Sequence, residues 1–118
     1  MITSYRQLTV WQKSIDLVIE TYRLTKLYPK EKLYGIISQT RRAAVSIPAN
    51  IAEGFTRKHR QEYLQFIRIA FASGAELETH LIIAKKLNLA TEKEFSLAEM
   101  LLNEVMKMLN SFIAKLAT

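Results

Sequence analysis

The sequence predicts an all-α protein that folds as an antiparallel, up-down-up-down four-helix bundle. Only three glycines and two prolines occur among its 118 residues, a scarcity that favours long helices over strands joined by turns. Apolar residues recur at steps of three and four along four long segments, which is the spacing of one helix face. Because short connections between long helices make neighbours antiparallel, we expect residues 1–118 to form a single four-helix domain.

The first helix is predicted over about residues 8–27. It ends before Pro29, because the residue that precedes a proline is disfavoured in helical geometry. Residues 1–7 form the only clear tail outside the core, although Tyr5 could still pack back onto the bundle. The predicted core stripe consists of Leu8, Trp11, Ile15, Val18, Tyr22 and Thr25.

The second helix is predicted over about residues 32–55, with a kink at Pro48 and a stop at Gly54. Pro48 removes the donor that would bond the Ala44 carbonyl, at a cost of roughly 3 kcal/mol in a helix interior. Apolar residues nevertheless keep helical spacing on both sides of the proline, so one kinked helix is expected in place of two separate helices. This stripe consists of Ile36, Thr40, Ala44, Ile47 and Ile51.

A second, polar stripe follows the same helix, and it has two interpretations. It is either a solvated face, as most charged stripes are, or a contact surface for a partner subunit or a phosphate, with Arg41 and Arg42 as its charges. The stripe consists of Ser38, Arg42, Ser46, Asn50 and Glu53.

The third and fourth helices are predicted over about residues 60–88 and 92–116. Thr91 and Glu94 have the spacing of a capping box that starts the fourth helix. Gly74 lies among small residues, which predicts the close approach of another backbone. The third helix is apolar nearly all round, which favours self-association; the alternative is that its extra apolar residues only widen the core face. These extra residues are Leu64, Phe66, Ile69, Phe71, Ile82 and Ile83.

Composition limits the classes of function. The chain has no cysteine, so disulfides, thiolate metal sites and cysteine nucleophiles are excluded. It has neither a signal-peptide core nor a long uncharged apolar stretch, so we expect a cytoplasmic protein without a membrane partner. Of the net charge of +6, residues 1–60 carry +7, from 11 Lys and Arg against 4 Asp and Glu, and residues 61–118 carry −1. This asymmetry favours an anionic partner, although a modest charge also serves solubility.

Few residues could support catalysis. His59 and His80 are the only histidines, and neither follows a glutamate at the Glu-x-x-His spacing of a di-iron bundle. Glu76 and His80, four residues apart, are better explained by a hydrogen bond or ion pair along one helix face. We therefore expect no enzyme, no metal and no cofactor.

Three segments resemble a known family. Residues 8–13 read LTVWQK, residues 39–54 read QTRRAAVSIPANIAEG, and residues 76–81 read ELETHL. They are similar to the proteins encoded by intervening sequences within bacterial 23S ribosomal RNA genes. This resemblance implies a bundle that assembles into a ring, typically a homopentamer. It also implies a relation to accessory proteins of diversity-generating retroelements, which are thought to bind nucleic acid and a reverse transcriptase. The chain departs from the family's usual glutamine at His80 and is more basic in residues 56–59.

Two functions follow as hypotheses. The first is an oligomeric bundle that binds RNA or DNA through backbone charge, without reading bases, since Trp11, Tyr22, Phe66 and Phe71 occupy core-like positions. Its candidate contacts are Arg41, Arg42, Arg57, Lys58 and Arg60. The second is a protein-interaction scaffold or accessory subunit that does not bind nucleic acid directly. Its candidate subunit contacts are Arg42, Asn50 and Glu53.

Overall fold

The structure is a computed structural model that describes residues 1–118. It contains four α-helices and no strand: α1 is Thr9–Thr25, α2 is Ser38–Phe55, α3 is Arg60–Lys86 and α4 is Glu92–Ala117. The all-α four-helix prediction is therefore confirmed. None of these helices combines the length and the apolar character needed to cross a membrane.

The helices form a four-sided bundle in which α1 and α3 each pack against both α2 and α4. Contacts join the end of one helix to the beginning of the next. Thr25 at the end of α1 accepts a hydrogen bond from Arg41 near the start of α2, and Lys85 near the end of α3 pairs with Glu99 in α4. Such contacts are compatible with the predicted up-down order of the helices, which stays a prediction.

The buried face of α1 lies one residue away from the predicted stripe. Leu17 and Leu24 are fully buried; Thr21 lies between them and Ser14 lies about one turn before Leu17, both also in the core. Each hydroxyl donates to a carbonyl of its own helix, Ser14 to Trp11 and Thr21 to Leu17, at 2.7 Å. Because these bonds satisfy the hydroxyls, the small side chains can face the neighbouring helices. Most of the predicted stripe lies at the margin of the core, with Leu8, Trp11, Ile15 and Val18 half-buried and Tyr22 exposed; only Thr25 is buried.

The start of α2 also differs from the prediction. A short 3-10 turn at Lys30–Lys32 and a wide π-helical turn at Leu33–Ile37 precede the α-helix, and Gly35 has non-helical angles (φ −112°, ψ −109°). The helix then continues through the buried Pro48 without a change of helix type. The interruption thus lies at Gly35, and the kink at Pro48 stays a prediction.

Two glycines have roles that the sequence did not indicate. Gly54 lies inside the last turn of α2, where an added Cβ would lie 2.7 Å from Cβ of Phe66 in α3. It is therefore needed for helix packing and is not a helix stop. An added Cβ at Gly74 would collide with Sδ of Met106. The close neighbour of Gly74 is thus a side chain of α4, and the approach of another backbone stays a prediction.

The reversal between α3 and α4 is set by its caps. Asn88 has a left-handed backbone (φ 57°), its N–H bonds the Lys85 carbonyl, and the N–H of Leu89 bonds the Ala84 carbonyl. This pattern is a Schellman motif, and asparagine tolerates its left-handed position better than most residues. The predicted capping box then starts α4, with reciprocal bonds between Thr91 and Glu94.

Candidate nucleic-acid interface

The five predicted nucleic-acid contacts lie at opposite ends of the bundle. Arg41 and Arg42 lie in the first turns of α2, and the other three cations follow its end. At about 1.5 Å per residue, the helix from Arg42 to its end at Phe55 separates the two groups by about 20 Å. One chain therefore presents two separate basic regions: the first-turn region (Arg41 and Arg42) and the connection region (Arg57, Lys58 and Arg60).

In the connection region, Arg57 is neutralised within the chain. Its guanidinium lies 3.1 Å from Glu53 and 3.8 Å from Glu62, and its Cζ lies 4.7 Å from the ring centroid of Phe66. Two carboxylates and an aromatic face already surround this cation. We expect Arg57 to attract a phosphate less than its charge alone would suggest.

Arg60 is also engaged, although it makes no ion pair. Its guanidinium donates to the carbonyl of Leu116 at 2.9 Å and to that of Lys115. These are among the last carbonyls of α4, which have no partner within their own helix, so Arg60 closes the end of that helix. Lys58 is exposed and makes no hydrogen bond or ion pair, which leaves it as the free cation of this region.

In the first-turn region, Arg41 is held but not neutralised. Its Nε donates to Oγ1 of Thr25 at 2.9 Å, and its Cζ lies 4.6 Å from the ring centroid of Tyr22. Thr25 in turn donates to the Thr21 carbonyl at 2.8 Å, which fixes the acceptor. Arg42 is exposed and has no partner.

The prediction that Tyr22 and Phe66 occupy core positions is wrong. Each ring lies beside an arginine at the margin of the bundle.

Two lysines that the sequence analysis did not select lie beside Arg41. Lys26 and Lys30 line a cavity of about 290 Å³ together with Arg41, and none of its lining residues is acidic. They belong to the connection between α1 and α2. The sequence does show four basic residues in this segment, Arg23, Lys26, Lys30 and Lys32. Only the fold shows that the segment lies beside the first turns of α2.

The three candidate subunit contacts have different environments. Asn50 donates to the carbonyl and hydroxyl oxygens of Ser46 at 2.8 and 2.9 Å, and Ser46 bonds Ser73 of α3 at 2.8 Å. Asn50 thus belongs to a polar cluster between α2 and α3. Glu53 is exposed and paired with Arg57, so Arg42 alone is both exposed and unpaired. Their role between subunits stays a prediction.

Comparison with known proteins identifies the family. The family model described as 23S rRNA-intervening sequence protein matches residues 6–111. The chain belongs to this family. No functionally curated protein matches the chain.

A solved structure similar to this member of the 23S rRNA-intervening sequence protein family supports the fold. It is a protein of unknown function from the S23 ribosomal protein family of Bacteroides thetaiotaomicron, 24% identical in sequence, with a TM-score of 0.82. The match covers 89% of this chain and 98% of the other. At this identity it supports the bundle architecture alone.

The outer side of α3 in this family member bears on self-association. Ile69, Ile82 and Ile83 have exposures of 41%, 51% and 43%, while Leu64, Phe66 and Phe71 are half-buried. The three isoleucines therefore do not widen the core of the single chain. Their exposure favours the self-association hypothesis, which stays a prediction.

Raising the pH from 10 towards 12 is expected to destabilise the fold through Tyr28 and Tyr63. Burial raises the pKa of each phenol from 10.0 to about 12, because the neutral form is favoured away from water. Between these values the unfolded chain loses protons that the folded chain keeps. Each contribution is thus fully present below pH 10 and is lost as the pH rises through 12, at up to about 1.4 kcal/mol per pH unit.

Denaturant unfolding at a series of alkaline pH values would measure this loss. A variant with both tyrosines replaced by phenylalanine should lose stability less steeply with pH. An equal slope in that variant would assign the alkaline destabilisation to other groups.

Proposed function

We propose that the chain is a non-enzymatic, oligomeric four-helix bundle of the cytoplasm that binds RNA or DNA through the phosphate backbone. The supporting observation is that Arg42 and Lys58 are exposed without an internal partner, while Arg41 has no carboxylate neighbour. Such cations release counterions from a polyanion when they contact it. Contacts of this kind position a nucleic acid without reading its sequence.

Self-association would strengthen this binding. The two basic regions on one chain are small and lie at opposite ends of the bundle. In a ring, each region would be repeated around an axis, and one long polyanion could contact several copies. The second contact is then intramolecular, so its effective concentration raises the overall affinity. We propose a homo-oligomer, a pentamer by family resemblance, as the binding form.

The double variant Arg42→Gln/Lys58→Gln is expected to weaken RNA binding about tenfold at low salt, since each lost phosphate contact removes one released counterion. Neither side chain has a partner in the chain, so stability and assembly should remain unchanged. Anisotropy titrations of fluorescent structured RNA and duplex DNA would measure binding, with light scattering to fix the oligomeric state.

Arg68→Gln/Lys86→Gln is the matched control, because it removes two exposed, unpaired cations from α3. An equal loss in both double variants would indicate that total charge determines binding. It would contradict the assignment of Arg42 and Lys58.

The alternative is a protein-interaction scaffold or accessory subunit, with a reverse transcriptase or another protein as its partner. The exposed isoleucines of α3 favour this reading, since they offer apolar area that α2 and α4 leave uncovered. Under this alternative Arg42 contacts a neighbouring subunit, so Arg42→Gln alone would dissociate the oligomer. An intact oligomer with weakened RNA binding in that variant would support the nucleic-acid function instead.

A further inference from the structure

The cavity beside Arg41 has the composition of an anion-binding site. It lies where the connection between α1 and α2 meets the start of α2, and Lys26, Lys30 and Arg41 supply three basic side chains to its lining without any acidic residue. A second cavity of about 370 Å³ shares Arg41 with it and adds Arg42 and Ser38, again without an acidic residue. Arg41 thus lines two neighbouring cavities, and neither cavity has an acidic residue in its lining.

Arg41 is preorganised for a bidentate contact. Only Nε is used within the chain, in the bond to Thr25, and the guanidinium Cζ lies over the ring of Tyr22. The N–H donors of Nη1 and Nη2 have no acceptor in the protein, and no carboxylate lies within ion-pair distance of them. A guanidinium fixed at one nitrogen and free at the other two can present its fork to two oxygens of one phosphate.

Tyr28 provides an independent observation at the same cavity. It lines the cavity, is only 3% exposed, and packs its ring against Phe95 with the centroids 6.2 Å apart. Its hydroxyl oxygen is buried and has no hydrogen-bond partner. Burial raises the pKa of this phenol to about 12, so it remains a donor at neutral pH. Buried hydroxyls without a partner are rare, and an acceptor that displaced the side chains covering this oxygen would satisfy it.

We propose that the cavity beside Arg41 is a phosphate-binding site. The fork of Arg41 and the ammonium groups of Lys26 and Lys30 hold one phosphate group, and the Tyr28 hydroxyl donates to it once the side chains that cover the hydroxyl move aside. Several cations and one neutral donor suit a group with several charged oxygens better than a carboxylate. As a contact for a nucleic-acid backbone the site rests on the proposed function. As a site for a phosphorylated small molecule it does not.

Inorganic phosphate is the first probe. It should raise the melting temperature of the protein relative to chloride at equal ionic strength, because a ligand that binds only the folded state stabilises it. Arg41→Gln should raise the dissociation constant for phosphate by at least about tenfold, and Tyr28→Phe by about fivefold. Arg68→Gln removes an exposed arginine of α3 that lies outside the cavity, and it should respond like the wild type.

Tyr28→Phe separates binding from folding. Without phosphate this variant should be as stable as the wild type or more stable, because it keeps the ring beside Phe95 and removes an unpaired buried hydroxyl. A weaker phosphate response in a protein of undiminished stability cannot result from a damaged fold. Arg41→Gln loses the bond to Thr25 as well, so its result is read together with that of Tyr28→Phe.

A fluorescent single-stranded RNA distinguishes the two sources of the phosphate. Weaker RNA binding in both variants would assign the site to the nucleic-acid backbone. Unchanged RNA binding with a lost phosphate response would assign it to a phosphorylated small molecule. RNA binding absent from the wild type, with the phosphate response intact, would overturn the proposed function but leave this site standing. No phosphate response in the wild type, or equal responses in the Arg41→Gln and Arg68→Gln variants, would overturn the site.

Discussion

Phe95→Ala is expected to destabilise the bundle by about 3–5 kcal/mol, the usual cost of removing a fully buried aromatic side chain. Phe95 has no exposed surface, lies in the first turns of α4 and packs against the ring of Tyr28. Its loss would leave a cavity between α4 and the segment that follows α1, where collapse is limited because the interior is close-packed. Denaturant unfolding would measure this as a lower midpoint at unchanged slope.

Phe112→Ala is the matched control, since it makes the same substitution on the same helix at a half-buried position. Phe112 lies near the other end of α4, with its ring centroid 5.2 Å from that of Tyr63. We expect a smaller loss, because less apolar surface leaves water when this side chain folds. If the two variants lost equal stability, burial would not explain the role of Phe95.

Bulky apolar stripes allowed the sequence to predict α3 and α4 almost to the residue. In α4, apolar residues fall on one face at alternating steps of three and four, and all are buried: Phe95, Ala98, Leu102, Val105 and Leu109. The face of α1 could not be found in this way, because Ser14 and Thr21 belong to it. Their burial depends on hydrogen bonds to their own helix and on the small size that close helix packing selects, and neither enters a count of apolar residues.

The basic residues show a different limit. The sequence shows which residues carry charge, but it does not show which charges are already satisfied. The pair between Glu53 and Arg57 could have been predicted from its spacing of four residues on a helix face. The bonds from Arg60 to the end of α4 join residues more than fifty positions apart, so only the packed structure shows them. The same holds for Lys26 and Lys30, which the fold brings to Arg41.

RNA affinity is expected to fall about fiftyfold between 50 and 200 mM salt if one chain contacts about four phosphates of a single strand. The reason is counterion release, which gives a slope of log affinity against log salt of about −0.7 per contacted phosphate, or about −2.8 for four. The available cations on one chain are few, since Arg57 and Arg60 are engaged internally. Anisotropy titrations over a salt series would give the slope, with light scattering at each salt concentration to show that the oligomer is unchanged.

RNA length provides the control for this prediction and also tests the role of assembly. A strand too short to reach a second subunit should show the slope of one chain, whereas a strand that spans several subunits should show a multiple of it and bind more tightly. This follows because each added subunit contributes its own phosphate contacts at a high effective concentration. Equal slopes for both lengths would mean that one subunit makes every contact, and the ring would then have no part in binding. A slope near zero with measurable affinity would contradict backbone charge as the source of recognition, because contacts to bases or apolar surfaces release few counterions.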